Sequence, residues 1–307
     1  GKPKAGTLRD FIEDHFRPWA SANRKWGDGA ADRILSVFSD FADKPLTAIN
    51  DWTVEKWRTE RRKAGRTVAT CNRDIATLKA ALAKGRQWGL DIDPLSKVKQ
   101  AKEDNAVVRY LTAAEDKRLR AALQARDAQM IAARESGNEW RKERGKAVLP
   151  SLEHFGDHLT PAVLLSLNTG LRRGELTALE WSDVNLPGKM LTVRAAAAKS
   201  GKARHIPLNG EAVAVLERWK EQAGSEGRVF LFADAKKAWA ALLVEAKIEN
   251  FRWHDLRHDF ASKLVMAGVN LNAVRELMGH ADLKMTLRYA HLAPEHLAEA
   301  VAKLGAK

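Results

Sequence analysis

Three segments of the chain gather side chains able to do chemistry. In His254-Asp255-Leu256-Arg257-His258, His254 and Arg257 are three apart, so on a helix they share one face and both reach a single anionic oxygen. His254 and His258 are four apart, which is also the spacing of a zinc-binding helix. That reading is weakened by Asp255 standing where such helices carry Glu, and by Arg257, which would put a cation beside the metal. In Thr169-Gly170-Leu171-Arg172-Arg173-Gly174-Glu175-Leu176 an apolar run ends at Gly170 and an arginine pair meets a glutamate. Alone, that segment reads as the start of a helix with a surface salt bridge. The third segment is Leu277-Met278-Gly279-His280, with Tyr289 nine residues further on. A tyrosine near a chain end is ordinarily a packing residue, yet this chain has only two, Tyr110 and Tyr289.

The elements that must position these groups are mostly helical. Leu8, Phe11, Ile12, His15 and Phe16 recur at helical spacing, as do Ile34, Leu35, Phe38 and Phe41. Trp52–Lys63 and Thr70–Trp88 read as two further helices, with Trp19, Trp52 and Trp57 as core anchors. Pro94 closes this region, and residues 96–106 read as an interdomain linker between a helical domain, 1–95, and a second domain, 107–307. The second opens on a capping box, Thr112 with Glu115. Its charged stretch Gln124–Lys146 lacks an apolar stripe and reads as a solvated helical insertion. Two β-tending runs, Met190–Arg194 and Arg204–Leu208, flank Lys199-Ser200-Gly201-Lys202, whose Ser-Gly step suits a hairpin. A last helix over Pro294–Leu304 aligns Leu297, Ala300, Val301 and Leu304. The fold class expected is mainly α with a small β-hairpin.

The chain has 307 residues, enough for two domains, and 45% apolar residues, which excludes disorder as its main character. Its one cysteine, Cys71, excludes an internal disulfide framework and a Cys-rich zinc module. The most apolar stretch, Leu159–Thr169, is too short to span a bilayer, so no membrane partner is expected. No signal peptide opens the chain, which makes a cytoplasmic location the default, and Gly1 in place of an initiator Met suggests a processed or truncated chain. A net charge of +13 points to a polyanionic partner, and its sharpest concentration is in residues 61–90. There Arg61, Arg62, Lys63, Arg66, Arg73, Lys79, Lys84 and Arg86 face one acid, Asp74. Solvated helix faces normally mix both signs, so this window is expected to contact DNA phosphates.

The order TGLRRGEL, KSGK, HDLRH, MGH and then Tyr289 resembles the tyrosine recombinase (phage integrase) family. Each motif is weak alone, but five in this order are specific, and the resemblance covers nearly all of residues 107–304. The resemblance implies a helical core-binding domain and a mixed α/β catalytic domain forming a C-shaped clamp on duplex DNA. It implies that Arg172, Lys199, His254, Arg257, His280 and Tyr289 are catalytic and that Glu175 supports them. No metal and no cofactor are implied. The expected partners are double-stranded DNA at attachment sites and three further copies in a tetramer, with the last helix docking in trans. Accessory DNA-bending or directionality proteins and association with the bacterial nucleoid are further expectations.

The chemistry implied suits the residue types. Tyr289 attacks a phosphodiester and forms a covalent 3′-phosphotyrosyl intermediate that conserves the bond energy, so ATP is unnecessary. Arg172 and Arg257 offer rigid donor forks to the non-bridging oxygens, Lys199 protonates the departing 5′ oxygen, and His254 and His280 donate hydrogen bonds or move the tyrosine's proton. Two other readings stay open: DNA relaxation of the type IB topoisomerase kind, and a zinc-dependent hydrolase built on His254 and His258.

Overall fold

Apolar residues at helical spacing, closed by side-chain caps, dictate most of this fold. The computed structural model describes residues 6–102, 108–198, 201–231 and 235–293. The chain separates into two compact units, Gly1–Ala106 and Val107–Lys307.

The first unit begins with α1 (Leu8–Phe11), a single π-helical turn (Ile12–Phe16) and α2 (Arg17–Asn23). It continues with α3 (Gly27–Val37), α4 (Asp51–Lys63) and α5 (Val68–Gln87). Asn50 and Thr67 cap α4 and α5 by accepting hydrogen bonds from the backbone N–H of Thr53 and Thr70. Phe11, Phe16, Phe38, Trp57, Leu78 and Leu82 meet in one core, with the Phe38 and Trp57 rings 4.4 Å apart. Trp57 is the core anchor expected, but Trp52 is not: it is 76% exposed. Val54 and Trp57 turn inward on α4, which puts position 52 on the opposite face. The described part of the stretch read as an interdomain linker, 96–102, packs on the first unit. Leu95 and Val98 are buried in the first unit's core, and Asn72 exchanges hydrogen bonds with the backbone of Ala101 at 2.8 and 3.0 Å. A polar composition hid one apolar contact, Val98, and a side chain that holds the segment's backbone.

The second unit opens with α6 (Ala113–Glu143), capped by the expected Thr112–Glu115 box. Its buried residues, Leu119, Ala122, Leu123 and Asp127, all lie in the first half, so the charged second half is solvated as its composition requires. The chain then folds back along that half, where Asn138 bonds both backbone groups of Leu149, at 2.8 and 2.9 Å. The apolar α7 (Leu159–Thr169) is followed by the short α8 (Arg173–Thr177). Next comes an antiparallel sheet of β1 (Val184–Asn185), β2 (Met190–Val193) and β3 (Arg204–Pro207). The expected hairpin is β2–β3, with Leu191 opposite Ile206 and Val193 opposite Arg204; β1 is an additional edge too short to leave a periodic signal. Then follow α9 (Gly210–Ala223), α10 (Lys236–Glu245), α11 (Asp255–Met266), α12 (Leu271–Met278) and α13 (Lys284–Leu287). No described helix is long and apolar enough to cross a membrane. The expected final helix over Pro294–Leu304 lies outside the described residues.

Candidate active site

Two helix ends built on left-handed glycines carry the first half of the site. The apolar α7 stops at Gly170, whose φ of 61° suits glycine. A Cβ there would lie 2.4 Å from Cδ1 of Phe260, so position 170 is restricted by space as well as by backbone. Arg172 follows as the N-cap of α8, and Glu175 reaches back to it. The Arg172 N–H and its Nη1 both donate to the Glu175 carboxylate, at 2.9 and 2.8 Å. The expected surface salt bridge is in fact buried, with the Glu175 side chain only 2% exposed. Arg204 of β3 grips the same carboxylate with two further bonds, at 3.0 and 2.7 Å, and donates through Nε to the carbonyl of Leu277.

The second glycine, Gly279, ends α12 at φ 61° and delivers His280. Its hydrogen atom faces Arg204, whose Cδ would lie 2.9 Å from a Cβ at this position. Arg172 Nη2 also reaches the Gly279 carbonyl, at 3.4 Å. Nδ1 of His280 is hydrogen-bonded to the Thr286 hydroxyl at 2.8 Å.

Arg257, on the first turn of α11, is buried beneath both helix ends. Its guanidinium donates to the carbonyl of Gly170 at 2.5 Å and to that of Met278. A cation at two helix C-termini is favoured by both dipoles, and it ties the segment carrying Arg172 to the segment carrying His280. His254 sits at the N-cap of the same helix, its ring 5.0 Å from that of His258 and nearly perpendicular to it. Tyr289 follows α13 and is 1% exposed. Its hydroxyl lies 2.6 Å from Nδ1 of His258.

The electrostatics follow from this packing. Burial opposes ionisation of Glu175, but Arg204 and Arg172 override it and hold the carboxyl at about 2. Burial, and then the neighbouring guanidinium groups and histidines, push His280 and His258 down to about 4 and lower His254 as well. Burial raises the Tyr289 hydroxyl above its ordinary value. Near neutral pH the site therefore holds neutral imidazoles, a protonated phenol, and three guanidinium groups (Arg172, Arg204 and Arg257) around one carboxylate. That surplus of positive charge suits a phosphoryl group.

Arg172, Glu175, His254, Arg257, His280 and Tyr289 are thus brought into one constellation through shared partners. Lys199 lies outside the described residues, on the connection between β2 and β3. Neighbouring Lys202 lines an open pocket of about 340 Å³ with Arg204, Arg275 and His280. The basic window is less uniform than its composition. Arg62 donates to the carbonyl of Arg66 at 2.6 Å and Lys79 to that of Val98 at 2.7 Å. Arg61 lies near Asp74, Lys63 pairs with Glu60, and Lys84 lies 4.7 Å above the ring of Trp19. Arg66, Arg73 and Arg86 are exposed. The metal reading of His254 and His258 finds no third ligand among the described residues, and Nδ1 of His258 is taken by Tyr289.

Sequence reasoning missed Arg204, His258 and Thr286. Arg204 left one signal, a charged residue in register with the inward-facing Ile206 and Leu208. In the sequence His258 stands out only by its four-residue spacing from His254, with nothing to pair it with Tyr289.

Residues 151–296 match the model of the phage integrase family. The chain is 33% identical over 254 residues to the integrase of Salmonella phage P22, covering 76% of this chain and 56% of that protein. Residues 151–296 are a phage integrase family domain. A tyrosine recombinase XerC of Xanthomonas campestris pv. campestris is 34% identical over 146 residues, 44% of each chain. The chain spans about half the length of these curated relatives. The integrase fold extends over both units. The Tn1549 transposon integrase, solved in complex with a circular intermediate DNA, superposes with a TM-score of 0.72 at 19% identity, covering 98% of this chain and 100% of that one. A lambda integrase dimer bound to a core site gives 0.68 at 19% identity, covering 92% and 95%.

Proposed function

We propose that this chain is a site-specific DNA recombinase that cleaves and rejoins strands through a phosphotyrosyl intermediate. The observation that carries the reading is the buried Tyr289, its hydroxyl on Nδ1 of His258 and Arg257 close enough to favour its ionised form, beside the arginine cluster that Glu175 holds.

In this reading Tyr289 attacks the scissile phosphorus and the 3′ phosphate becomes esterified to its oxygen. The 5′ oxygen leaves with a proton from Lys199. Arg172 and Arg257 bind the non-bridging oxygens, each with donors left over from the carbonyls they already hold, since a guanidinium carries five. By analogy with arginine fingers, each contact contributes about 10³–10⁵ in rate. Glu175 keeps Arg172 in place from within the protein and does not react. Rejoining is the same sequence in reverse, so bond energy is conserved without ATP.

The substrate is duplex DNA, with the exposed Arg66, Arg73 and Arg86 of the first unit among its phosphate contacts. The assembly proposed is a tetramer on two DNA sites, integrating or excising a mobile element. The integrase and XerC relatives favour strand exchange over relaxation of supercoils.

The test is incubation with a pool of nicked duplexes of randomised sequence, followed by denaturing electrophoresis. Adduct that survives denaturation and persists in chelator supports the reading. Its absence, or relaxation of plasmid without any sequence preference, contradicts it.

A further inference from the structure

We infer that His258 is the group that takes the proton from Tyr289 as the tyrosine attacks phosphorus, a step that rests on the recombinase reading. Among the described residues, its Nδ1 is the hydrogen-bond partner of the hydroxyl, at 2.6 Å. That distance is already the one a general base needs before transfer. His280 has its Nδ1 on the hydroxyl of Thr286 instead, and His291, two residues beyond Tyr289, is exposed. His254 packs edge-on against His258, the ring centroids 5.0 Å apart.

Tyr289 and His258 come from separate elements packed together, the segment after α13 and the first turn of α11. The charged and titratable groups around the imidazole are His254, Asp255 and Arg257 from its own helix, Arg288 beside Tyr289, and His280 after α12. Burial first, and then His254 and Arg288, keep His258 neutral at working pH, so its lone pair is available. The phenol, raised above 10 by burial, does not surrender its proton to a base near 4 in the resting protein. The transfer is therefore concerted with attack. A phosphate drawn in by Arg172 and Arg257 cancels positive charge around the imidazole and raises its basicity as the phenolate forms.

The step balances as follows. The O–H bond of Tyr289 breaks and its proton moves to Nδ1 of His258, making an imidazolium. The phenolic oxygen bonds to phosphorus, and the bond from phosphorus to the 5′ oxygen breaks, that oxygen taking its proton from the general acid. On rejoining, the imidazolium returns its proton to the phenolic oxygen.

The test uses the full chain, with the cleaved site recovered from the randomised nicked pool and single-turnover adduct formation followed against pH. His258→Gln keeps an acceptor atom but cannot hold the proton, and His258→Ala leaves room for added imidazole. Both are expected to slow adduct formation by about 10²–10⁴-fold and to lose the acidic limb of the profile, with imidazole partly restoring His258→Ala. A bridging 5′-phosphorothiolate, which needs no acid, is expected to leave both defects in place. Thermal unfolding of each variant separates loss of chemistry from loss of fold. Rates within about threefold of the unaltered protein, a faster His258→Ala variant, or rescue by the phosphorothiolate would each overturn the inference while the recombinase reading stands. No adduct from the unaltered protein removes both.

Discussion

Replacing Glu175 with Gln removes one charge from the centre of the second unit while keeping its shape. Two arginines then lose their counter-ion: Arg204, 9% exposed, and Arg172, 19% exposed. The Gln oxygen can accept from one of them, but its NH₂ faces the donors of the other. Two routes give the magnitude. The carboxyl falls from 4.5 to about 2 on folding, a difference worth about 3 kcal/mol. Breaking a buried ion pair from one side costs about 3–5 kcal/mol. With a urea dependence of about 2 kcal/mol per molar, unfolding should shift down by roughly 1.5 M. Hydrogen exchange in urea reads this directly, because peptides of α8, β3 and α12 are resolved from those of the first unit. The effect should also depend on pH with a definite sign. Between about 2 and 4.5 the unfolded chain binds a proton at Glu175 that the folded chain refuses. The carboxylate's contribution is therefore present above 4.5 and lost as pH falls toward 2, and the gap between Glu175→Gln and the unaltered protein should close with it. Adding Arg204→Met should recover part of the loss by removing the stranded cation. A shift below about 0.5 M, or a double variant no better than the single one, would refute the reasoning.

The three site histidines carry depressed proton affinities, so between 6.5 and about 4 the unfolded chain binds more protons and stability should fall as pH falls. Thermal melts across that range should show the slope, and His280→Gln should flatten it. Gly170→Ala combines a left-handed backbone with a 2.4 Å approach to Phe260 and should cost about 2–4 kcal/mol in denaturant melts. Arg73→Ala should weaken DNA binding at all sequences alike and reduce the slope of log affinity against log salt by about 1, while Lys79→Ala, whose ammonium already serves the Val98 carbonyl, should change that slope less.

Features set by near neighbours are legible in the sequence alone. The Thr112–Glu115 cap, the β2–β3 pairing and the helix ends at Gly170 and Gly279 each depend on residues a short distance along the chain. The positions proposed as catalytic stand out because they fall in short motifs in a fixed order. What escapes is decided by pairings distant in sequence. Arg204 meets Glu175 across 29 positions, and His258 meets Tyr289 across 31. Whether a polar residue is buried with a partner or solvated is not written in its neighbours. For the same reason 96–106 reads as a linker, although Val98 and the Asn72–Ala101 pair bind its described part to the first core.

The central claim is that Tyr289 becomes esterified to DNA. The most direct measurement is mass spectrometry of the covalent adduct after nuclease and protease digestion, in a chain whose only other tyrosine is Tyr110. The account predicts a nucleotide remnant on the peptide containing Tyr289, joined through a 3′ phosphate, and no adduct from Tyr289→Phe. A remnant on any other residue, or adduct that persists in Tyr289→Phe, would contradict it.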